Sequence, residues 1–201
     1  MKKRLKKGEF GYITAMKKSS IIRSIISVGS CVIIFLIGLA INHTNKSAFS
    51  IIAALGCLPA GWSVVNMIMF LRAGNCDTEA HLEIENHKGG LLILYDLEMT
   101  SENANYAISA ATVLDKNVCC YTEDRNLDAT DCEKHILLQI SQSGYSDYTV
   151  KVFSDLQKFC DRLDQLELLR VKKNIDPFAI EAAWVNGTTQ TAASVLQSIS
   201  L

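Results

Sequence analysis

Two stretches of this chain, Ile21 to Ile41 and Ile51 to Leu71, are apolar almost without interruption. The first holds one charge, Arg23 near its start, and the second holds none. Each is 21 residues long and as a helix spans roughly 31 Å, the thickness of a bilayer's hydrocarbon core of about 30 Å. A helix packed inside a soluble domain of this size keeps a polar face, and these two have almost none. The pattern therefore predicts two transmembrane helices. Only nine residues, Asn42 to Ser50, join them, which allows an antiparallel hairpin and little else.

Beyond the second run the periodicity changes. Asp77 and Thr78 can cap a short helix that ends before Gly89-Gly90, although Leu82 and Ile84 also fit a strand pattern. Leu91 to Thr100 begins apolar and continues in alternation, Ala104 to Leu114 places Tyr106, Ile108, Ala110, Thr112 and Leu114 at every second position, and Val118 to Thr122 comes next. The Asp115-Lys116-Asn117 turn makes the last two a hairpin, so three antiparallel strands are expected. Thr130-x-x-Glu133 reads as a capping box before a helix with Cys132, Ile136 and Ile140 on one face, closed by Gly144. Tyr148 to Phe153 is a further strand. Ser154 or Asp155 starts a helix bearing Leu156, Phe159, Cys160, Leu163, Leu166 and Leu169, and Asp176-Pro177 starts another, interrupted near Gly187.

The expected fold class is thus a membrane-anchored α/β protein, a two-helix transmembrane hairpin followed by a cytosolic α-βββ-α-β-α domain with a mixed sheet. Its expected segments are a basic cytosolic tail (1–20), the hairpin (21–72), the α/β domain (73–175) and a C-terminal helical segment (176–201). No internal repeat or low-complexity stretch occurs.

Charge fixes an expected orientation. Eight Lys and Arg residues lie between Lys2 and Arg23, against Lys46 alone in the connecting loop, which by the positive-inside rule puts both termini in the cytoplasm of a plasma-membrane protein. Gly38-Leu39-Ala40 and Val28-Gly29-Ser30-Cys31 resemble signal-peptide and lipoprotein cleavage sites, but neither moves the domain after the second helix out of the cytoplasm. The loop's Asn42-His43-Thr44 and Asn45-Lys46-Ser47 match the glycosylation sequon and read as polar loop residues. From Ala73 onward the chain carries 20 acidic and 10 basic residues, a formal charge of −10. Such a domain is repelled by nucleic acid, so none is expected as a partner, while the basic tail is drawn to anionic lipid. The bilayer, a second membrane or cytosolic protein, and a further copy of the chain are the partners this pattern suggests.

In the second run, Ala53, Cys57 and Gly61 recur at four-residue spacing as a small-residue stripe for helix packing, with Pro59 producing a kink. The second run has no ionisable group to mark a transport path.

Candidate chemistry is sparse. The domain holds five of the seven cysteines and faces a reducing compartment, which argues against a disulfide framework. Cys119 and Cys120 are adjacent in a strand and point to opposite faces, and only Cys132-x-x-His135 has metal-ligand spacing, so buried thiols are expected rather than zinc. No C-x-x-C, H-E-x-x-H, G-x-S-x-G, phosphate loop or dinucleotide fingerprint is present, and no cofactor is expected.

The order helix, three strands, helix, strand resembles the core of the restriction-endonuclease-like nucleases. That resemblance implies an Asp and an E-x-K motif holding a divalent metal, which here correspond loosely to Asp115 and to Glu123-Asp124-Arg125, with arginine replacing lysine. As a whole the chain resembles two-helix membrane proteins of Gram-positive bacteria that have no assigned activity. The likeness rests on Lys7 to Ile13, Gly56-Cys57-Leu58-Pro59-Ala60, Tyr121-Thr122, Gly144-Tyr145 and the Ile199-Ser200-Leu201 end. The leading expectation is an interaction or scaffold module on a membrane anchor. The alternative is a divergent or degenerate metal-dependent nuclease with Asp115 and Glu123 as ligands, and pocket binding of a small molecule is a third.

Overall fold

The computed structural model describes residues 5–42, 48–101, 104–182 and 191–201. The sequons' loop residues 43–47 and the break expected near Gly187 lie outside the described residues. Two compact units are present, one formed by Ile13–Ala73 and the other by Met1–Tyr12 with Gly74–Leu201.

The first unit consists of two helices, α1 (Tyr12–Asn42) and α2 (Ala48–Arg72), both long and apolar enough to cross a membrane. Helix α1 starts nine residues before the apolar run, because nothing in Tyr12 to Ser20 breaks a helix. The two helices meet along seams of small and hydroxyl-bearing residues. On α1, Ser20, Ser24 and Gly38 are buried and Ser27 and Cys31 half-buried, while on α2 Ala53, Ala60 and Ser63 are buried and Gly56 half-buried. The Ser24 hydroxyl donates to the Ser63 carbonyl at 2.8 Å, and a Cβ added at Gly56 would lie 2.9 Å from the Cys31 sulfur. Both seams alternate spacings of three and four, the 3.5-residue period of helices that stay in register along their length.

This corrects the expected Ala53, Cys57, Gly61 stripe. Ala53 belongs to the seam, but Cys57 and Gly61 are exposed, and a Cβ on Gly61 would meet nothing within 4 Å. Each four-residue step on a helix advances roughly 40° past a full turn, so a pure four-residue stripe rotates off the contact face. Ile22, Ile33, Leu36, Ile51, Leu58 and Trp62 point outward, as do most of the large apolar side chains of the pair.

The second unit is an α/β sandwich. After α3 (Thr78–His87), strands β1 (Ile93–Thr100), β2 (Asn105–Leu114) and β3 (Asn117–Tyr121) form an antiparallel meander. Helix α4 (Ala129–Gln142) returns the chain so that β4 (Thr149–Phe153) pairs parallel with β3, giving a four-stranded mixed sheet of order β1-β2-β3-β4. Helices α5 (Leu156–Lys173), α6 (Pro177–Ala182) and α7 (Ala192–Ile199) complete it. Two apolar clusters flank the sheet. Ile136 and Ile140 of α4 and Val195 and Leu196 of α7 fill one, and Ile84 of α3 and Phe159, Leu163 and Leu166 of α5 fill the other.

Two local expectations change. The cap of α4 is Asp128, whose carboxylate accepts from the Thr130 and Asp131 amides. Glu133, freed from a capping box, accepts from the Val152 amide of β4 instead. The regular alternation expected along β2 slips by one residue, since Tyr106 and Ile108 enter one cluster and Ala110 and Leu114 the other. Asp96 lies in β1 beside that slip with φ 55°, a left-handed backbone that interrupts the pleat.

Asp96 is only 2 % exposed, and it organises both connections to the helical pair. Its carboxylate accepts from the Gly11 amide at 2.8 Å and from the Cys76 amide at 2.9 Å. Glu98 accepts from the Gly74 amide, and the Tyr95 amide donates to the Gly8 carbonyl. The backbone at Gly8 has φ +88°, and a Cβ there would lie 2.9 Å from the Gln197 side chain, so glycine is needed. At the other end of β1 the Leu201 amide donates to the Glu98 carbonyl, and together these segments cover what would otherwise be an open sheet edge.

Candidate functional site

Local sequence signals build one concave site in the domain. Asp115 occupies the β2–β3 turn with φ 55° and takes an ion pair from Lys173, 2.6 Å away at the end of α5. Asn174 then turns the chain through a left-handed C-cap, and the Asp176 carboxylate caps α6, whose first residue is Pro177. Thr191 caps α7 in a reciprocal arrangement with Ser194, and its hydroxyl donates to Glu181. Between these elements lies a pocket of about 410 Å³ walled by apolar groups such as Val113 and Ile180, with Tyr145, Tyr148, Asp115, Glu181 and Thr191 as its polar members. Its size falls within the range of small-molecule sites. The two tyrosine rings meet edge to face at 5.3 Å, and burial pushes the Tyr148 phenol up, so it stays a neutral hydrogen-bond donor at physiological pH.

Asp115 and Glu123, the residues singled out for a shared metal, lie at opposite ends of β3. That strand alone separates them by roughly 16 Å, so they cannot chelate one ion. Glu123 instead accepts from the Asp77 amide at the start of α3. Burial raises the Glu123 pKa against the hydrogen bond from Asp77. Asp124 accepts from the Asn126 amide, forming a turn in which Arg125 is exposed. Among the described residues, no group of three or more His, Cys, Asp or Glu side chains is placed to hold a metal.

The cysteines of Val118 to Tyr121 divide as their strand requires, Cys119 into the cluster under α5 and Cys120 into the one under α4. Burial raises both thiols, Cys120 well above its ordinary value, and pushes Cys76 and Cys132 up to about 12 and Cys160 to about 11. These are protonated core side chains, unsuited to nucleophilic or redox work. His135 leans against Tyr106, whose hydroxyl donates to Asp131.

Sequence reasoning did not find the pocket. Its signals were present as separate caps, Asp176-Pro177 and Thr191, but nothing in a linear pattern says that two helix starts and a hairpin turn converge. No family model, curated protein or solved structure compared with the chain matches it.

Proposed function

We propose that this chain is a two-pass membrane protein with both termini cytoplasmic, carrying its acidic α/β domain as a binding module. The membrane part of this reading is supported by α1 and α2, which turn large apolar side chains outward and keep small, hydroxyl-bearing ones between them. The binding part is supported by the pocket beside Tyr145 and Tyr148. Its apolar walls suit a hydrocarbon body, and Glu181 with two ring faces suits one cationic or hydrogen-bond-donating group, Asp115 being already paired with Lys173, so an amphipathic amine fits its chemistry best.

Topology is tested by membrane-impermeant thiol labelling in intact cells. Native Cys132 and Cys160 are fully buried and would resist labelling on either side, so the reporters are Asp147→Cys and Asn45→Cys. Labelling of Asn45→Cys but not Asp147→Cys before permeabilisation is expected, and the reverse pattern overturns the orientation. For the pocket, the full chain in detergent is heated with hexylamine, hexanoate or hexanol. A stabilisation by the amine alone that is lost in Glu181→Gln is expected, and equal responses to all three would sink the charge argument.

A further inference from the structure

The helical pair contains a second pocket, of about 360 Å³, lined by Arg23, Ser20 and Ser27 of α1 and by Pro59, Trp62 and Asn66 among others of α2. Two polar side chains converge there without partners: neither Arg23 nor Asn66 has a hydrogen bond or ion pair among the described residues. An unpaired guanidinium in the otherwise uncharged run from Ile21 to Ile41 is costly in a bilayer unless an anion or the interface satisfies it.

Helix length places the pocket at a definite depth in a bilayer. Helix α1 continues 19 residues beyond Arg23 to Asn42, and α2 takes 18 residues from Ala48 to reach Asn66. At 1.5 Å per residue both distances come to roughly 27–29 Å, close to the hydrocarbon thickness, so both side chains reach one headgroup layer. Trp62, 74 % exposed on the pocket's rim, is a residue type enriched at that level.

We propose that this pocket binds the phosphate of an anionic phospholipid. The Arg23 guanidinium engages two phosphate oxygens as a planar fork, and the Asn66 amide donates a third hydrogen bond. The proposal rests on the two-pass reading above and goes beyond it, because Arg23 otherwise does no more than extend towards the headgroups as any cationic side chain near a helix end would.

The test uses the full chain with Trp184→Phe, which leaves Trp62 as its one tryptophan, in phosphatidylcholine nanodiscs containing increasing phosphatidylglycerol. Trp62 emission should change saturably, reaching its limit at a few phosphatidylglycerol molecules per protein. Arg23→Gln should weaken half-saturation by at least about tenfold, the worth of one charge-assisted hydrogen bond. Arg23→Lys, which keeps the charge and loses the fork, and Asn66→Leu should each give an intermediate loss. A response that rises linearly with phosphatidylglycerol, or is equal in wild type, Arg23→Gln and Asn66→Leu, overturns the site and leaves only surface attraction. In a parallel arm, discs of pure phosphatidylcholine receive inorganic phosphate, and saturation there without a phosphatidylglycerol response would overturn the lipid assignment in favour of a soluble phosphate. Vesicle flotation separates the two levels of failure: a chain that does not float refutes the membrane reading, whereas one that floats without a saturable response refutes the phosphate site alone.

Discussion

The helical pair and the α/β domain solve the same packing problem with opposite materials. In the domain the largest side chains are innermost: Phe159, Leu163, Ile136 and Ile140 have no measurable exposure, and most charges lie outside, with Asp96 and Glu98 the buried exceptions. In the pair the seam between the helices is mostly small residues, Ile13 and Phe70 are the buried large ones, and most isoleucine, leucine and tryptophan side chains face out. The proposed membrane setting of the pair accounts for the difference. Water drives large apolar groups together, whereas among lipid tails that drive vanishes, and association depends on close packing and hydrogen bonds such as Ser24 to Ser63.

Equivalent truncations should therefore have unequal effects. Phe159→Ala empties a fully buried site and should cost the domain about 3–5 kcal/mol, read from chemical denaturation of the full chain. Ile33→Ala, which removes outward bulk from α1, should leave the stability of the pair in micelles almost unchanged, and a comparable loss there would break the comparison. Asp96→Ala should cost about 2–4 kcal/mol, because it orphans the Gly11 and Cys76 amides and leaves alanine in a left-handed backbone. Hydrogen exchange should speed up at those two amides before it does so in the core of the sheet.

Within the pair, Gly56→Leu should cost about 1–3 kcal/mol by overpacking against Cys31, while Gly61→Leu should be neutral. Far-UV circular dichroism during titration with a denaturing detergent compares the two, and equal effects would return the seam to the Ala53, Cys57, Gly61 stripe.

The smallest effect concerns charge at the domain's surface. The hydrogen bond from His87 to Asp164, at 3.0 Å, raises the His87 pKa, with Glu83 adding to it. A raised folded-state value stabilises most below the unfolded pKa of about 6.5 and fades as pH climbs through the folded value. Asp164→Asn should then lose under about 1 kcal/mol near pH 5 and nothing measurable at pH 9, a difference visible in paired thermal melts.

Much of the fold was legible in the sequence because it depends on near neighbours. The two apolar runs, the α-βββ-α-β order, the Asp115-Lys116 turn and the Asp77, Asp155 and Asp176 caps all follow from periodicity and local hydrogen bonding. The cap of α4 was misplaced by two residues, since Asp128 and Thr130 offer equivalent local chemistry and only the demand of the Val152 amide for Glu133 separates them. The slip in β2 was illegible for a similar reason. Ala110 is small enough for either face, and its side is set by Asp96 on the neighbouring strand.

The candidate sites divide along the same line. By itself the sequence determined that two helices can span a bilayer, that an acidic α/β domain comes after them, and that adjacent strand cysteines point apart. The tertiary structure alone decided that Asp115 and Glu123 lie too far apart to share an ion, that Asp115 and Glu181 wall one pocket, and that Arg23 and Asn66 face another. Periodicity and capping act over a single helical turn or strand pair, whereas a binding site is a meeting of side chains distant along the chain, which only the folded packing brings together.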